Sequence, residues 1–356
     1  MYRIRTACPD FWAPGNLMFL IRSAHPHDLK ELAALAQHLD TLNLPHDAPA
    51  LESIIDLSVR SFRGEVAPDS ARYLFVLCDP HTSQVLGSSM LIAAHGTPHD
   101  PHHFLRVDSV QRYSSSLRAL FRHRILQFRQ SWTPHTELGA LVLHPALRGH
   151  PARLGRLLSY ARFLYLGAHP ERFCAEVQAE LLPPFREDGS SVLWDWLGRQ
   201  FTGLDYQHAD RLSRTNHEFM QSLFPSEPIH IALMPAEVQA VIGAVGPATQ
   251  GVAHLLQQQG FRPNGHIDPF DGGPHFAAAT KDIPIVSHTR RREVAPHPHV
   301  HSGVPGLVGR EDAHGHWRIV ETSLVTDAEG YLCLDPATRD TLQVTDRDPV
   351  YAAPLR

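Results

Sequence analysis

Cysteine is scarce in this sequence of 356 residues: it has four, at positions 8, 78, 174 and 333, and no two of them are close together. That spacing excludes a dense disulfide framework and a cysteine-based zinc ribbon. The first ten residues also lack an apolar core followed by a small-residue cleavage site, so no secretory signal is expected. These features favour a reducing compartment, and we expect a cytoplasmic location.

Long apolar runs and an excess of basic charge are also missing. The longest apolar stretches, such as residues 138–143, are far shorter than the roughly 20 residues that a membrane helix needs, so no membrane partner is expected. With 32 basic and 37 acidic side chains, the formal net charge is −5. We therefore expect no overall attraction to nucleic acid, and an anionic ligand needs a locally positive site.

The sequence does contain enough apolar residues, 43%, for a sizeable core, and its length is typical of about two domains. The residue spacing predicts a hairpin over 73–93, a helix over 117–128, a strand over 137–144, a helix over 154–166 and late strands over 317–326 and 331–334. This mixture predicts an α/β fold with a small C-terminal β appendage.

Histidine is unusually frequent, with 26 residues. One group comprises His95, His99, His102 and His103, and a second, in the Pro-rich tail, comprises His297, His299 and His301. Clustered imidazoles can bind a transition metal, but histidine is also an ordinary polar residue in loops of this composition. Because no Cys, Asp or Glu shares a recognised ligand spacing with either group, the sequence predicts no metal site.

The segment from 137 to 158 carries the clearest chemical signal. A predicted strand ends at Pro145, a loop with Arg148 and Gly149 follows, and a helix begins near Gly155. Such a loop directs backbone N–H groups and the positive end of a helix dipole at one point, which suits a diphosphate. The dinucleotide-binding and P-loop motifs are absent. The alternative is structural, since a glycine between strand and helix with basic neighbours occurs in many folds.

Several stretches, in this order, resemble the arginine N-succinyltransferase family: YLFVL at 73–77, ELGALVLHP at 137–145, GRLLSYARF at 155–163, WDWLGRQF at 194–201, EVQAVIG at 237–243 and IDPFDGGP at 267–274. The resemblance covers about residues 17–295. It implies a tandem GNAT-like acyl-CoA N-acyltransferase fold. We accordingly expect a leader over 1–16, an acyl-CoA-binding domain over 17–203, a second GNAT-like half over 204–295 and a Pro/His-rich segment with the β appendage over 296–356.

The family implies transfer of succinyl from succinyl-CoA, a co-substrate, to the α-amino group of L-arginine, with no permanently bound cofactor. Direct attack of an amine on a thioester needs no protein nucleophile. The family places a succinyl-CoA contact at Leu141. The expected CoA-binding residues are Leu141, Val142, Leu143, Arg148, Gly149, Arg153, Gly155 and Arg156.

The catalytic residues are harder to assign. The family has a proton-donor histidine in a stretch resembling VIGQVHP, whereas residues 241–247 here are VIGAVGP, with Gly246 at the histidine position. Weak candidates for acid–base chemistry are Glu137, Glu180 and His230, with His217 or water as further replacements for the acid. Asp268 and Asp271 are candidates for binding a cationic substrate. Structural alternatives are carboxylates paired with arginines and, for Asp271, an ordinary turn residue.

Two functions remain open at this point. The first is an active arginine N-succinyltransferase. The second is a non-catalytic or substrate-drifted CoA-binding paralogue that serves as a subunit of an active acyltransferase. Gly246 favours the second, whereas the loop arginines and the IDPFDGGP segment favour the first. The sequence leaves open whether the chain forms a homo- or hetero-oligomer.

Overall fold

The structure is a computed structural model that describes residues 18–37, 44–45, 47–79, 82–213, 216–296 and 303–355. The strands in these ranges are β1 Leu20–Ser23, β2 Arg72–Cys78, β3 Val85–His95, β4 His102–Ser114, β5 Ala119–Ser131, β6 His135–Leu143, β7 Glu176–Glu180, β8 Ile229–His230, β9 Arg262–Ile267, β10 Pro274–Ala279, β11 Arg290–Glu293, β12 Val304–Glu311, β13 Trp317–Thr326, β14 Leu332–Cys333 and β15 Pro349–Pro354. The helices are α1 Leu29–Ala36, α2 Ala48–Phe62, α3 Leu154–Ala168, α4 Val192–Trp196, α5 Gly198–Thr202, α6 Tyr206–Ser213, α7 Glu218–Leu223, α8 Ala236–Val241, α9 Gln250–Gln258, α10 Pro284–His288 and α11 Pro336–Leu342.

The strands join in one mixed sheet, which agrees with the predicted α/β class. Its order is β11-β15-β12-β13-β1-β2-β3-β6-β7-β10-β9-β4-β5-β8, and β14 pairs with β13 at one side. Strand β7 pairs with β10, so Glu180 lies opposite His275 although 95 residues separate them in sequence. The expected halves 17–203 and 204–295 therefore contribute neighbouring strands to one sheet, and their independence as domains stays a prediction.

Helices cover both faces of the middle of the sheet. β2 is buried along almost its whole length because apolar residues occupy both of its faces. One face packs against α3, whose Leu158 and Tyr165 are fully buried. The other face packs against α1 and α2 through Leu32 and Leu51. β6 lies two strands from β2 in this covered region, which fixes the position of the loop that follows it.

The prediction of a helix over 117–128 is wrong. β5 pairs with β4 along its whole length, from Ser114↔Ala119 to His102↔Ser131. The apparent helical periodicity came from Leu117, Leu120 and Phe121, which are 68%, 63% and 45% exposed at the end of this hairpin. Apolar residues that face solvent say nothing about a buried helical face, so the periodicity was misleading.

The C-terminal strands continue the main sheet. β13 pairs with β1 through Ile21↔Ile319, and β12 lies between β13 and β15. The expected leader over 1–16 and the tail histidines His297, His299 and His301 lie outside the described residues. Within the described ranges, no helix is both long and apolar enough to cross a membrane.

Candidate functional site

A large cleft opens where β6 and β7 separate. The described ladder between these parallel strands consists of Thr136↔Val177 and Glu137↔Gln178. Past this point β7 continues beside β10, and residues 138–143 of β6 form a wall of a cleft with a volume of about 2150 Å³. Leu141, Val142 and Leu143 all lie in this wall. A splayed pair of strands leaves backbone groups that an extended, amide-bearing ligand can pair with.

A β-bulge at Ala140 shapes this wall. Between the pairs Ser88↔Val142 and Met90↔Gly139, β6 has one residue more than β3. Ala140 takes a left-handed conformation, with φ of 49°, and its carbonyl accepts a 2.9 Å hydrogen bond from Ser88 Oγ. A bulge bends its strand and redirects the neighbouring residues, and here it does so at the rim of the cleft.

The loop after β6 carries the arginines and glycines expected to bind phosphate. Arg148, Gly149, Arg153 and Gly155 all line the cleft. Arg153 precedes α3 in a left-handed conformation, and no side chain caps the N-terminus of that helix. Gly149 has φ of 76°, and a Cβ atom there or at Gly155 would meet nothing within 4 Å. The open space, the helix terminus without a side-chain cap and the basic side chains are the features that an anion site requires.

Arg156 is placed differently from the other two arginines. It lies in the cleft wall, but its Nη2 donates to Glu321 Oε1 of β13 at 2.6 Å. Its buried Nε has no hydrogen-bond partner within the part of the chain that the structure describes. The carboxylate neutralises much of the charge of Arg156, so Arg148 and Arg153 supply the positive potential at this end of the cleft.

Acidic side chains line the opposite part of the cleft. They include Glu137, Glu180, Asp210, Asp268 and Asp271, and Asp47 and Asp100 also line the cleft. Burial raises the pKa of Glu180 well above its usual value, and the charges of Glu137, Asp268 and Asp271 raise it further. Burial and the neighbouring Asp268 likewise raise the pKa of Asp271. Carboxylates held this close gain from a positively charged ligand, because the ligand reduces their mutual repulsion.

The two aspartates of the IDPFDGGP segment also hold its turn together. Asp268 Oδ1 accepts hydrogen bonds from the N–H groups of Phe270, at 2.7 Å, and Asp271, at 2.9 Å. Asp271 Oδ1 accepts from Gly273 N–H at 2.7 Å. The turn role and the position in the cleft are therefore compatible, since each carboxylate has further lone pairs.

The charge of Asp268 is expected to make folding pH-dependent. Burial raises the pKa of Asp268 from 3.8 to about 6. Because the native-state value is the higher one, the stability that this group contributes is present below pH 4 and lost as the pH rises through about 6. Asp268→Asn keeps an oxygen for both backbone N–H groups but cannot ionise. Relative to the unchanged chain, this variant should gain up to about 3 kcal/mol of unfolding free energy between pH 4 and 7.

Urea denaturation at a series of pH values measures that gain. A difference in unfolding free energy that does not change with pH would show that Asp268 does not titrate in this interval.

Close backbone packing explains why residue 246 is a glycine. Its N–H donates to Leu182 O at 2.8 Å, and a Cβ atom at this position would lie 2.3 Å from Pro183 O. Any side chain must therefore displace the backbone of residues 182–183. The expected proton donor is absent from this position, and the backbone leaves no room to restore it.

Gly246→His should consequently destabilise the chain instead of supplying an acid. We expect a loss of at least about 1–3 kcal/mol of unfolding free energy, as for other overpacked sites. Gly251→Ala is the matched control, because that glycine lies in α9 with nothing within 4 Å of its Cβ position. The control should be neutral or stabilising. Unchanged stability together with faster turnover in Gly246→His would contradict this account.

The remaining acid–base candidates differ in position. His230 lies in β8 at the edge of the sheet, opposite Ile125, and outside the residues that line the cleft. His217 does line the cleft, with Nδ1 3.6 Å from Asp100 Oδ1. The geometry therefore favours Glu137, Glu180 and His217 over His230 as groups that can reach a bound substrate.

Arg162 is a cleft residue that sequence reasoning missed. It is 1% exposed, and its guanidinium donates from Nε to Ser159 O at 3.2 Å and from Nη2 to Ser159 Oγ at 3.0 Å. Within the described residues, no carboxylate lies at salt-bridge distance from it, and burial lowers its pKa to about 9. A lone arginine within the apolar stretch LLSYARFLYL of α3 was the available sequence signal.

Histidines from several strands also meet beside the cleft. The ring of His102 lies 5.0 Å from that of His95, 4.9 Å from that of His135 and 5.2 Å from that of His275. Burial lowers the pKa of His135 to about 4 and lowers the pKa of His102 further, and the neighbouring imidazole rings contribute to both shifts. His135 and His275 are far from the first sequence group, so only the pairing of strands brings this cluster together.

Comparisons with known proteins agree with the resemblance. A family model described as "Arginine N-succinyltransferase beta subunit" matches residues 19–285. The arginine N-succinyltransferase of Photorhabdus laumondii is 32% identical over 94% of this chain and 97% of its own. The enzyme of the same name from Shigella boydii is 31% identical over 94% and 96%.

A solved structure gives the same result for the fold. The arginine/ornithine succinyltransferase subunit AI from Pseudomonas aeruginosa superposes with a TM-score of 0.81 at 28% identity, and the match covers 95% of this chain and 99% of that one. The predicted fold class and the prediction of an acyltransferase are thereby confirmed. The chain belongs to the arginine N-succinyltransferase family.

Proposed function

We propose that the chain transfers a succinyl group from succinyl-CoA to the α-amino group of L-arginine in the cytoplasm. The observation that carries this proposal is the division of charge in the cleft. Arg148 and Arg153 lie at one end, and Glu137, Glu180 and the aspartates of the IDPFDGGP segment lie at the other. This arrangement suits an anionic diphosphate and a cationic amino acid bound at the same time.

The donor follows the wall formed by β6. Its diphosphate binds the backbone N–H groups and arginines of the loop before α3, and its pantetheine amides pair with the backbone of residues 138–143. This segment spans about 17 Å at the usual rise of a strand. The thioester then lies near Glu137, where β6 and β7 come together.

Arg162 is the group that we assign to the succinyl carboxylate. It lies eight residues after Leu154, about 12 Å along α3 from the helix N-terminus, and therefore well beyond the diphosphate. Ser89 Oγ donates to Leu158 O at 3.1 Å, which holds this part of α3 against β3. A buried guanidinium without a carboxylate partner is suited to bidentate binding of one from the ligand.

The acceptor occupies the acidic end. Glu180 and Glu137 attract the positive groups of arginine and place its α-amino nitrogen against the thioester carbon. The neutral amine attacks, a C–N bond forms, the C–S bond breaks, and the nitrogen loses a proton to a cleft carboxylate or water. CoA leaves as a thiolate, which needs no donor at position 246 because a thiolate is a fair leaving group without prior protonation and takes its proton from water after it departs.

Release of free thiol from succinyl-CoA tests the proposal. The purified chain is supplied with L-arginine, L-ornithine, L-lysine or an uncharged amino acid such as L-leucine. We expect release that requires L-arginine and does not occur with L-leucine. Binding of succinyl-CoA without release would identify the chain as a non-catalytic paralogue, and release that is independent of the amino acid would contradict transfer to it.

A further inference from the structure

The histidine cluster beside the cleft has the arrangement of a metal site. One nitrogen from each of His95, His102 and His135 lies within 4.8 Å of the other two. His95 Nε2 and His102 Nδ1 are 3.0 Å apart. In tetrahedral coordination with Zn–N bonds of 2.0–2.1 Å, two ligand nitrogens lie about 3.3 Å apart. A shift of a few tenths of an ångström therefore converts this contact into two bonds to one ion.

Buried nitrogens without partners point to a ligand. Among the described residues, Nε2 of His135, which is 5% exposed, has no hydrogen-bond partner, and neither has Nε2 of His275, which is 0% exposed. An unsatisfied buried polar atom costs about 1–3 kcal/mol. An ion that accepts the lone pair of His135 Nε2 removes this cost at His135; His275 is not one of the three histidine ligands, and its Nε2 lies 3.5 Å from Glu180 Oε1.

The surroundings supply the outer contacts that metal-bound histidines use. Glu137 Oε2 lies 3.4 Å from His95 Nδ1, on the side of the ring away from His102. Gln178 Nε2 lies 3.3 Å from His102 Nε2, and His102 Nδ1 is turned toward His95. With an ion at Nδ1, His102 carries its proton on Nε2, so the Gln178 amide must turn its oxygen to that nitrogen. A carboxylate or amide behind a ligating imidazole fixes its tautomer and orientation.

We propose that His95, His102 and His135 bind one divalent transition-metal ion, with Zn²⁺ as the probe. Glu180 Oε1, 4.0 Å from His102 Nδ1 and 3.5 Å from His275 Nε2, is within reach of the fourth position. Imidazole with one carboxylate is a donor set that suits Zn²⁺ and its neighbours, and not Mg²⁺ or Ca²⁺. The ion would join the ends of β3, β4 and β6, and its binding does not depend on the proposed reaction.

Calorimetric titration of the chelator-treated full chain with ZnCl₂ tests the site. We expect one tightly bound ion per chain and a melting temperature that rises with Zn²⁺ concentration, because the ion binds the folded state. His102→Gln and His135→Gln should each weaken binding by about 100-fold or more. If either of these variants does not fold, His95→Gln replaces it in the test, because His95 is only half-buried.

A matched control separates this site from the tail. A variant with His297, His299 and His301 all changed to Gln should bind the same single ion with unchanged affinity. The proposal is overturned if that variant loses the binding, if the cluster variants keep it, or if Zn²⁺ binds without a defined stoichiometry.

Discussion

Arg162→Met is expected to abolish most of the preference for succinyl-CoA over acetyl-CoA. In the proposed complex, Arg162 neutralises the succinyl carboxylate inside the cleft, and acetyl-CoA has no such group. Removing one member of a buried, hydrogen-bonded ion pair costs about 2 kcal/mol or more, which is a loss of about 30-fold. We expect that loss in kcat/KM for succinyl-CoA only, measured by thiol release with saturating L-arginine.

The fold should tolerate this change. Arg162 contacts Ser159 and no described carboxylate, so methionine replaces a buried charge without leaving an opposite charge unpaired. Arg162→Lys is the conservative variant and should keep part of the preference for succinyl-CoA. Arg148→Ala should lower kcat/KM for succinyl-CoA and for acetyl-CoA by the same factor. If the ratio of kcat/KM for succinyl-CoA to kcat/KM for acetyl-CoA were unchanged in Arg162→Met, Arg162 would not be the group that binds the succinyl carboxylate.

Glu180→Gln is expected to raise the KM for L-arginine by about 30-fold or more, by the same reasoning on a charged pair. Glu180 lines the cleft near Glu137 and the IDPFDGGP aspartates, so these carboxylates together attract a guanidinium or ammonium group. The KM for succinyl-CoA should change little, since the donor binds at the other end. The measurement is made in the presence of a chelator, so that bound metal cannot contribute.

Glu176→Gln is the matched control for Glu180→Gln. Glu176 lies at the other end of the same strand, β7, and outside the residues that line the cleft. Glu176→Gln should leave the KM values for L-arginine and for succinyl-CoA unchanged. If Glu180→Gln raised the KM for succinyl-CoA and not that for L-arginine, the two ends of the cleft would have been assigned the wrong way round.

Local features were predictable from the sequence, and features that depend on distant strands were not. The loop between Pro145 and α3 follows from residues adjacent in sequence, so its arginines and glycines were expected together. The acidic end requires β7 to pair with β10, which brings Glu180 near Asp268 and Asp271. Those three residues were individual candidates in the sequence, but nothing in their spacing placed them side by side.

The histidines show the same limit. His95 and His135 face each other across β3 and β6, 40 residues apart, and His275 comes from β10. The sequence prediction of no metal rested on the spacing within 95–103, and that spacing carries no information about histidines that lie on different strands. The wrong helix over 117–128 has a related cause, because the exposed end of a hairpin carries apolar residues that belong to no core.

A crystal structure of the chain with CoA and L-arginine tests the central claim most directly. The account predicts the CoA diphosphate at the N–H groups between Arg148 and Gly155, the pantetheine beside residues 138–143, and the arginine side chain among Glu180, Asp268 and Asp271. CoA bound away from the loop before α3, or arginine bound among Arg148 and Arg153, would contradict it.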